Sequence, residues 1–96
     1  MEKQFVVYML TNKPYGVLYT GVTSNLSQRL AQHNSDAVDG FTKKYQAHRL
    51  VYYELHAGAE QAIQREKQLK RWKRAWKIRL IEEMNAGWHD LSEQAA

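Results

Sequence analysis

The sequence contains no cysteine among its 96 residues and only one proline. The absence of cysteine excludes disulfides, thiolate zinc sites and cysteine nucleophiles. The longest apolar run, Phe5 to Leu10, is far shorter than the roughly 20 residues that a membrane-spanning helix needs. The first residues also lack the basic and then apolar layout of a secretion signal. We therefore expect one small, soluble, cytoplasmic domain over residues 1–96, with no membrane as a partner.

Positive charge is concentrated in one part of the chain. The 14 Lys and Arg residues exceed the 10 Asp and Glu residues by four. Eight of the 14 lie between Arg65 and Arg79, where Glu66 is the single acid. Such a block is typical of a surface that binds a polyanion such as nucleic acid. It also suits an ordinary solvated helix face.

The first half of the chain reads as a hairpin followed by a helix. Phe5 to Leu10 is apolar at every position and predicts a strand covered on both faces. Pro14 and Gly16 predict a turn, and a second strand follows over about 17–22. Asn25 is suited to cap a helix that runs to about Asn34. Residues 34–47 have little periodicity and read as a loop.

The second half predicts one more strand, over 49–56, and then helix from 58 to 85. A straight helix of that length would span about 42 Å. A compact chain of this size has a radius of gyration of only about 12–13 Å, so it cannot easily accommodate such a helix. We therefore expect two helices that break near residues 70–74. The predicted fold class is α/β of the α+β type, a three-stranded, mainly antiparallel sheet flanked by helices, in the order β-β-α-β-α-α.

Three helical residues stand out as candidates for chemistry. Arg29 and His33 share one helix face, where Arg can hold a phosphate; the same spacing also suits two surface residues beside a core stripe. Glu66 lies between apolar positions of its helix, and a carboxylate facing the core needs a partner. That partner is either Lys70, one turn along, or a Mg²⁺-like ion, which uses few protein ligands.

Two tyrosines lie on the arms of the predicted hairpin. Tyr8 and Tyr19 share a face if the residue numbers of paired positions sum to 27, and a slip of one residue sends them to opposite faces. The sequence does not determine this register, and either tyrosine by itself also suits the core.

Taken together, these motifs resemble the GIY-YIG nuclease superfamily, and in particular its small standalone bacterial members, which are similar to the nuclease domain of the bacterial repair excinuclease. The resemblance covers nearly the whole chain. It rests on Val6-Val7-Tyr8, Tyr19-Thr20-Gly21, Asn25 to His33, the helix around Glu66, and the segments 40–45, 50–54 and 88–91. Val6, Val7 and Thr20 depart from the family pattern, but both tyrosines and Gly21 are kept. Asn85 has a counterpart used by some members, although its place beside Gly87 favours helix termination.

The resemblance implies a DNA endonuclease that uses one divalent ion, Mg²⁺ or Mn²⁺, bound by Glu66. It implies that a tyrosine, which we take to be Tyr8, accepts the proton of the attacking water while Tyr19 positions water or phosphate. Arg29 would bind the phosphate, His33 would hydrogen-bond the water or the base, and Gly21 would let the backbone approach the site.

The basic block then has a role in binding DNA. We expect contacts to the DNA backbone from seven side chains: Lys43, Lys44, Lys67, Lys70, Arg71, Lys73 and Arg74. Because larger members of the superfamily carry separate DNA-binding domains, two alternatives stay open. One is a nucleic-acid-binding module that does not cleave or that needs a protein partner, and the other is a purely structural interaction protein.

Overall fold

The computed structural model describes residues 4–35 and 40–95. Within these ranges the chain forms three strands and five helices. In chain order they are β1 (Phe5–Thr11), β2 (Leu18–Thr23), α1 (Leu26–Asn34), α2 (Phe41–Tyr45), β3 (Arg49–His56), α3 (Ala59–Arg71), α4 (Arg74–Met84) and α5 (Ser92–Ala95). The predicted α+β fold and the order of its main elements are confirmed, with α2 and α5 as short additions.

The three strands form one antiparallel sheet in the order β2-β1-β3. Tyr8 pairs with Gly21, and Tyr19 pairs with Leu10. The two tyrosines are therefore diagonal neighbours rather than directly opposite each other. Since side chains alternate between faces with a period of two, both tyrosines lie on the same face of the sheet.

The sheet separates two hydrophobic clusters, which we call the Met9 face and the Tyr8 face. The buried members of the Met9 face are Val7, Met9, Val51, Tyr52, Ala62, Leu69, Ile81 and Trp88. Those of the Tyr8 face are Val6, Tyr8, Leu10, Leu26, Leu30, Ala47 and Leu50. Thus α3 and α4 contribute to the first cluster, and α1 contributes to the second.

The long helical segment breaks where compactness requires. Helix α3 ends at Arg71 and α4 begins at Arg74, and the two residues between them, Trp72 and Lys73, have extended backbone angles. No glycine or proline causes the break. Instead it lets Leu69 and Ile81 reach the same cluster, and the radius of gyration is 12.5 Å.

The prediction of a loop over 34–47 is wrong for Phe41 to Tyr45, which form α2. The helix ends at Tyr45, and the left-handed backbone of the next residue, Gln46 (φ 56°), closes its last turn. Thr42 and Ala47 are buried, so tertiary contacts hold a segment whose sequence has no helical periodicity. Residues 36–39 of the predicted loop lie outside the described residues.

Two smaller expectations concern helix ends. Asn25 caps α1, since its Oδ1 accepts a hydrogen bond from the Gln28 backbone N–H at 3.1 Å. Asn85 ends α4 and is buried, and its side-chain amide donates to the carbonyls of Val51 and His89. Its predicted role in helix termination is confirmed. In the described part of the chain, no helix is long and apolar enough to cross a membrane.

Candidate functional site

The centre of the candidate site is a buried chain of three polar side chains. The Tyr8 hydroxyl lies 3.2 Å from Nε2 of His33, and Nδ1 of His33 lies 2.9 Å from Oγ1 of Thr42. All three residues are buried. A neutral imidazole donates at one nitrogen and accepts at the other, so His33 connects the two hydroxyls in either direction. Sequence spacing places His33 at the border of the core, whereas it lies inside it.

Tyr19 and Gly21 complete the wall next to Tyr8. The ring centroid of Tyr19 is 6.2 Å from that of Tyr8 and 5.5 Å from that of His33. Gly21 pairs with Tyr8, and a Cβ atom at Gly21 would lie only 2.5 Å from the Tyr8 Cζ and hydroxyl oxygen and 3.0 Å from the Tyr19 ring. The tyrosine rings therefore occupy the space that any larger residue at position 21 would need.

Two charged residues act on Tyr8 from different helices. Burial raises the pKa of the Tyr8 hydroxyl above its ordinary value, and Tyr19 and the Glu66 carboxylate act in the same direction. Arg29 on α1 opposes them and lowers the pKa of Tyr8. These effects place Arg29 and Glu66 within electrostatic reach of the buried hydroxyl.

His33 is held in its neutral form. Burial lowers the pKa of its imidazole, and the Arg29 guanidinium and the His48 ring act in the same direction. At neutral pH one ring nitrogen is therefore available to accept a proton.

Glu66 lies on α3 with a largely buried side chain. Its Oε2 atom pairs with Nζ of Lys70, one turn along, at 3.0 Å, and the Glu66 side chain is only 15% exposed. Within residues 4–35 and 40–95 there is no cluster of three or more His, Cys, Asp or Glu side chains that could hold a metal. An ion bound at Glu66 would therefore have fewer than three such ligands from the described residues and would need water or substrate to complete its coordination.

The basic block divides into two surfaces. On one, Lys70, Arg74 and Lys77 lie close together, and burial together with the charges of Arg74 and Lys70 lowers the pKa of Lys77. Arg74 and Lys77 line a groove with Phe41, whose ring is 6.1 Å from that of Tyr19. This surface, which we call the groove surface, therefore adjoins the tyrosines.

The second surface lies around two tryptophans of the α3–α4 corner. Lys67 and Arg71 line a depression with Trp72 and Trp76, and the Lys73 ammonium lies 5.7 Å from the centre of the Trp76 ring. We call this the tryptophan surface. Trp72 packs against the hydrophobic cluster of the Met9 face, so the tryptophan surface lies on that side of the sheet.

Lys43, Lys44 and Arg74, which are also predicted to bind DNA, are exposed. Arg74 has a structural role as well. Lys43 and Lys44 lie on α2, and the Lys44 ammonium lies 5.3 Å from the centre of the Tyr45 ring. The Arg74 guanidinium donates to the backbone carbonyls of Tyr15 and Gly16, each at 2.6 Å. Arg74 thus also fastens the turn between β1 and β2 to α4.

Three residues of this region were missed by sequence reasoning: Thr42, Phe41 and Lys77. Thr42 and Phe41 lie in the segment read as a loop, where nothing in the sequence indicates that they meet His33 and Tyr19. The resemblance of segment 40–45 to the nuclease family was the one indication of their importance. Lys77 belongs to the basic block but was not singled out from it.

A second polar cluster, on the other side of the sheet, has a different character. The Tyr52 hydroxyl, the His56 ring and the Arg65 guanidinium all hydrogen-bond the Glu54 carboxylate. Although burial acts in the opposite direction, these bonds lower the pKa of Glu54. Every member has its partner within the cluster, as expected of a structural network.

Comparison with known proteins identifies the family of the chain. The family model described as "GIY-YIG catalytic domain" matches residues 4–79. The chain is 36% identical over 84 residues to a UPF0213 protein of Bacillus pumilus, covering 88% of this chain and 86% of that protein. It is 32% identical over 83 residues to a UPF0213 protein of Staphylococcus epidermidis, covering 86% of this chain and 99% of that protein.

A solved structure shares the fold. The solution NMR structure of a UPF0213 protein of Bacillus halodurans superposes with a TM-score of 0.58 at 24% identity, covering 94% of this chain and 95% of that one. The family match spans β1 to α4 and includes both tyrosines, Arg29, His33 and Glu66. The chain belongs to the GIY-YIG catalytic-domain family, with bacterial UPF0213 proteins among its relatives, and this membership supports a nuclease-type function.

Proposed function

We propose that the protein is an endonuclease that hydrolyses phosphodiester bonds in DNA with the help of one divalent metal ion. The observation that carries the proposal is the meeting of the Tyr8 hydroxyl, the Tyr19 ring and the His33 imidazole against Gly21. Residues from β1, β2 and α1 converge there on one buried hydroxyl, within reach of one positive and one negative charge.

Glu66 is the residue that would hold the metal, as Mg²⁺ or Mn²⁺. A lone, largely buried carboxylate fits an ion that keeps most of its water ligands and takes the rest from a phosphate. The ion pair with Lys70 places a positive charge next to the Glu66 carboxylate when no metal ion is bound. When bound, such an ion polarises the phosphoryl group and neutralises the charge that develops on the leaving oxygen.

Tyr8 is the proposed general base, and its environment requires a relay. Its raised pKa makes a free tyrosinate scarce at neutral pH. If His33 carries its proton on Nδ1 and donates it to Thr42, then Nε2 is the acceptor for the Tyr8 proton. The water oxygen then attacks phosphorus, the proton of that water passes to Tyr8, and the original Tyr8 proton passes to His33. The P–O bond to the leaving oxygen breaks, and that oxygen takes a proton from solvent.

Arg29 and Tyr19 have supporting roles in this proposal. Arg29 lowers the pKa of Tyr8 and presents a planar set of donors to the phosphate as negative charge accumulates there. Tyr19 positions the water or the phosphate beside the buried hydroxyl. Because Gly21 has no side chain, the rings of Tyr8 and Tyr19 can occupy the space next to it.

The DNA backbone would follow the groove surface toward the tyrosines. Lys70, Arg74 and Lys77 concentrate positive charge next to the proposed site, which favours binding of a phosphate chain without regard to sequence. Lys67, Arg71 and Lys73 extend this field on the tryptophan surface, and Lys43 and Lys44 extend it on α2. A protein partner that adds DNA-binding surface is compatible with so small a domain.

The test is cleavage of labelled DNA with Mg²⁺, Mn²⁺ or EDTA, comparing the wild type with Glu66→Gln and with Glu60→Gln. Glu60 is an exposed carboxylate on the same helix and serves as the matched control. We expect cleavage that requires metal, is lost in Glu66→Gln and is kept in Glu60→Gln. Binding without cleavage under every metal would favour the non-catalytic module, and cleavage by Glu66→Gln at the wild-type rate would exclude Glu66 as the metal ligand.

A further inference from the structure

Four aromatic rings form a continuous series from the buried site to the surface. Their centroids are 6.2 Å apart between Tyr8 and Tyr19, 6.1 Å between Tyr19 and Phe41, and 4.7 Å between Phe41 and Tyr45. Exposure rises along the series: Tyr8 is buried, Tyr19 is partly buried, and Phe41 and Tyr45 are each 40% exposed. The outer two rings belong to neither of the buried clusters.

Helix α2 presents these two rings to solvent in a fixed position. Phe41 and Tyr45 are four residues apart, so they lie on the same side of a helix. Thr42 is buried and its hydroxyl lies 2.9 Å from Nδ1 of His33. The contact between Thr42 and His33 therefore holds the exposed pair at a constant place relative to the proposed catalytic side chains.

Positive charge surrounds the exposed rings. Phe41 lines the groove that contains Arg74 and Lys77, and the Lys44 ammonium lies over the Tyr45 ring at 5.3 Å from its centre. Exposed aromatic faces beside a positively charged groove are the combination by which proteins bind single strands: phosphates meet the cations and bases stack on the rings.

We propose that Phe41 and Tyr45 stack on unpaired bases next to the phosphate that Arg29 and Tyr19 would position beside Tyr8. The preferred substrate is then DNA with unpaired nucleotides at the point of cleavage, as in a single strand or a flap, rather than uninterrupted duplex. In a duplex, neighbouring base pairs cover both faces of each base, so a ring can stack only on a base that has left the helix. This substrate class rests on the proposed function, because it takes the phosphate at the tyrosines as the reacting one.

The experiment measures binding in EDTA, where no cleavage can occur by a metal-dependent route. The probes are a fluorescein-labelled DNA single strand and the same strand annealed to its full complement. The double variant Phe41→Leu with Tyr45→Leu keeps apolar bulk and removes both rings. The exchange Phe41→Tyr with Tyr45→Phe keeps both rings and serves as the matched control. Circular dichroism establishes that each variant is folded.

We expect the wild type to bind the single strand more tightly than the duplex. The leucine pair should lose about tenfold or more in affinity for the single strand, given the stacking contribution of each base, with duplex affinity unchanged. The ring exchange should behave as the wild type. Equal binding of both probes by the wild type, or an undiminished single-strand affinity in the leucine pair, would overturn the stacking proposal alone. No binding of either probe at low salt would overturn the stacking proposal together with the proposed action on DNA.

Discussion

The two faces of the central strand β1 are built from similar residues and differ in what they bury. Val7 and Met9 on one face pack among aliphatic side chains and Trp88. Val6 and Leu10 on the other face flank Tyr8, whose buried hydroxyl continues into His33 and Thr42. The first face is mainly hydrophobic, and the second contains a chain of three buried polar side chains.

The polar side chains of the Met9 side and of the Tyr8 side also differ in their electrostatics. The cluster of Tyr52, Glu54 and Arg65 contains opposite charges that satisfy one another. Burial shifts pKa values on both sides, raising those of Tyr52 and Tyr8 and lowering that of His33. The hydrogen bonds of Tyr8 and His33, however, join side chains that carry no opposite charges. The contrast teaches that the two sides can be separated by mutation.

The largest loss of stability is expected on the Met9 face. Met9→Ala removes a fully buried side chain and leaves a cavity, which should lower the free energy of unfolding by about 2–5 kcal/mol. Urea denaturation measures the loss. Cleavage per folded molecule should stay as in the wild type, and a parallel loss of intrinsic activity would contradict the separation of the two faces.

Gly21→Ala should affect the Tyr8 face directly. The new Cβ would meet Tyr8 at 2.5 Å and the Tyr19 ring at 3.0 Å, so both rings must move, with an expected destabilisation of about 1–3 kcal/mol. Cleavage should fall further than stability does, because a displacement of about 1 Å at a reacting group can lower a rate a hundredfold.

A matched control for this change is Gly87→Ala. There the added methyl would meet the tip of the exposed His89 side chain, which can rotate away. Thermal unfolding and cleavage rates of both variants make the comparison, and equal behaviour of the two would contradict the tight packing at Gly21.

Thr42→Val tests whether the hydroxyl next to His33 fixes the proton position of the ring. Valine keeps the volume but leaves Nδ1 of buried His33 without its partner, at an expected cost of about 1–3 kcal/mol. We expect a fall in cleavage rate together with a displaced pH profile. Thr42→Ser keeps the hydroxyl and should restore both, and a Thr42→Val variant with an unchanged pH profile would limit Thr42 to a structural role.

The smallest expected effect is the pH dependence of stability. Because burial lowers the pKa of His33 in the folded state, the unfolded chain binds a proton more readily. Stability from His33 is therefore fully present above its ordinary pKa of about 6.5 and is lost as the pH falls below that value. Urea denaturation from about pH 7.5 to about pH 5.5 should show this decrease. This decrease in stability should persist in His89→Asn, because His89 is exposed, and it should weaken in His33→Asn.

Much of the fold could be predicted because apolar patterning determined it. The strand over 49–56 and the break after Arg71 followed from periodicity and from the size of a compact chain. The β1–β2 register could not be predicted, since shifts of two residues leave the pattern of faces unchanged. Helix α2 could not be predicted either, because Thr42 and Ala47 are buried through distant contacts.

The candidate site divides in the same way. Helix spacing and the predicted hairpin singled out Tyr8, Tyr19, Arg29, His33 and Glu66, but their roles came from the family resemblance. The spacing of Arg29 and His33 alone also suits two surface residues. The burial of His33 could not be predicted, because it depends on the fold bringing Thr42 next to the ring. The split of the basic block into two surfaces depends on the angle between α3 and α4, which no local pattern encodes.

The measurement that tests the central claim most directly compares Tyr8→Phe with Tyr52→Phe in metal-dependent cleavage of single-stranded and flapped DNA. Both changes remove one hydroxyl from a buried, hydrogen-bonded tyrosine, and the two residues lie on opposite faces of the sheet. The account predicts a loss of about a hundredfold or more in Tyr8→Phe, the range for removal of a general base, and near wild-type cleavage in Tyr52→Phe. Cleavage by Tyr8→Phe at the wild-type rate, or equal losses in both variants, would contradict it.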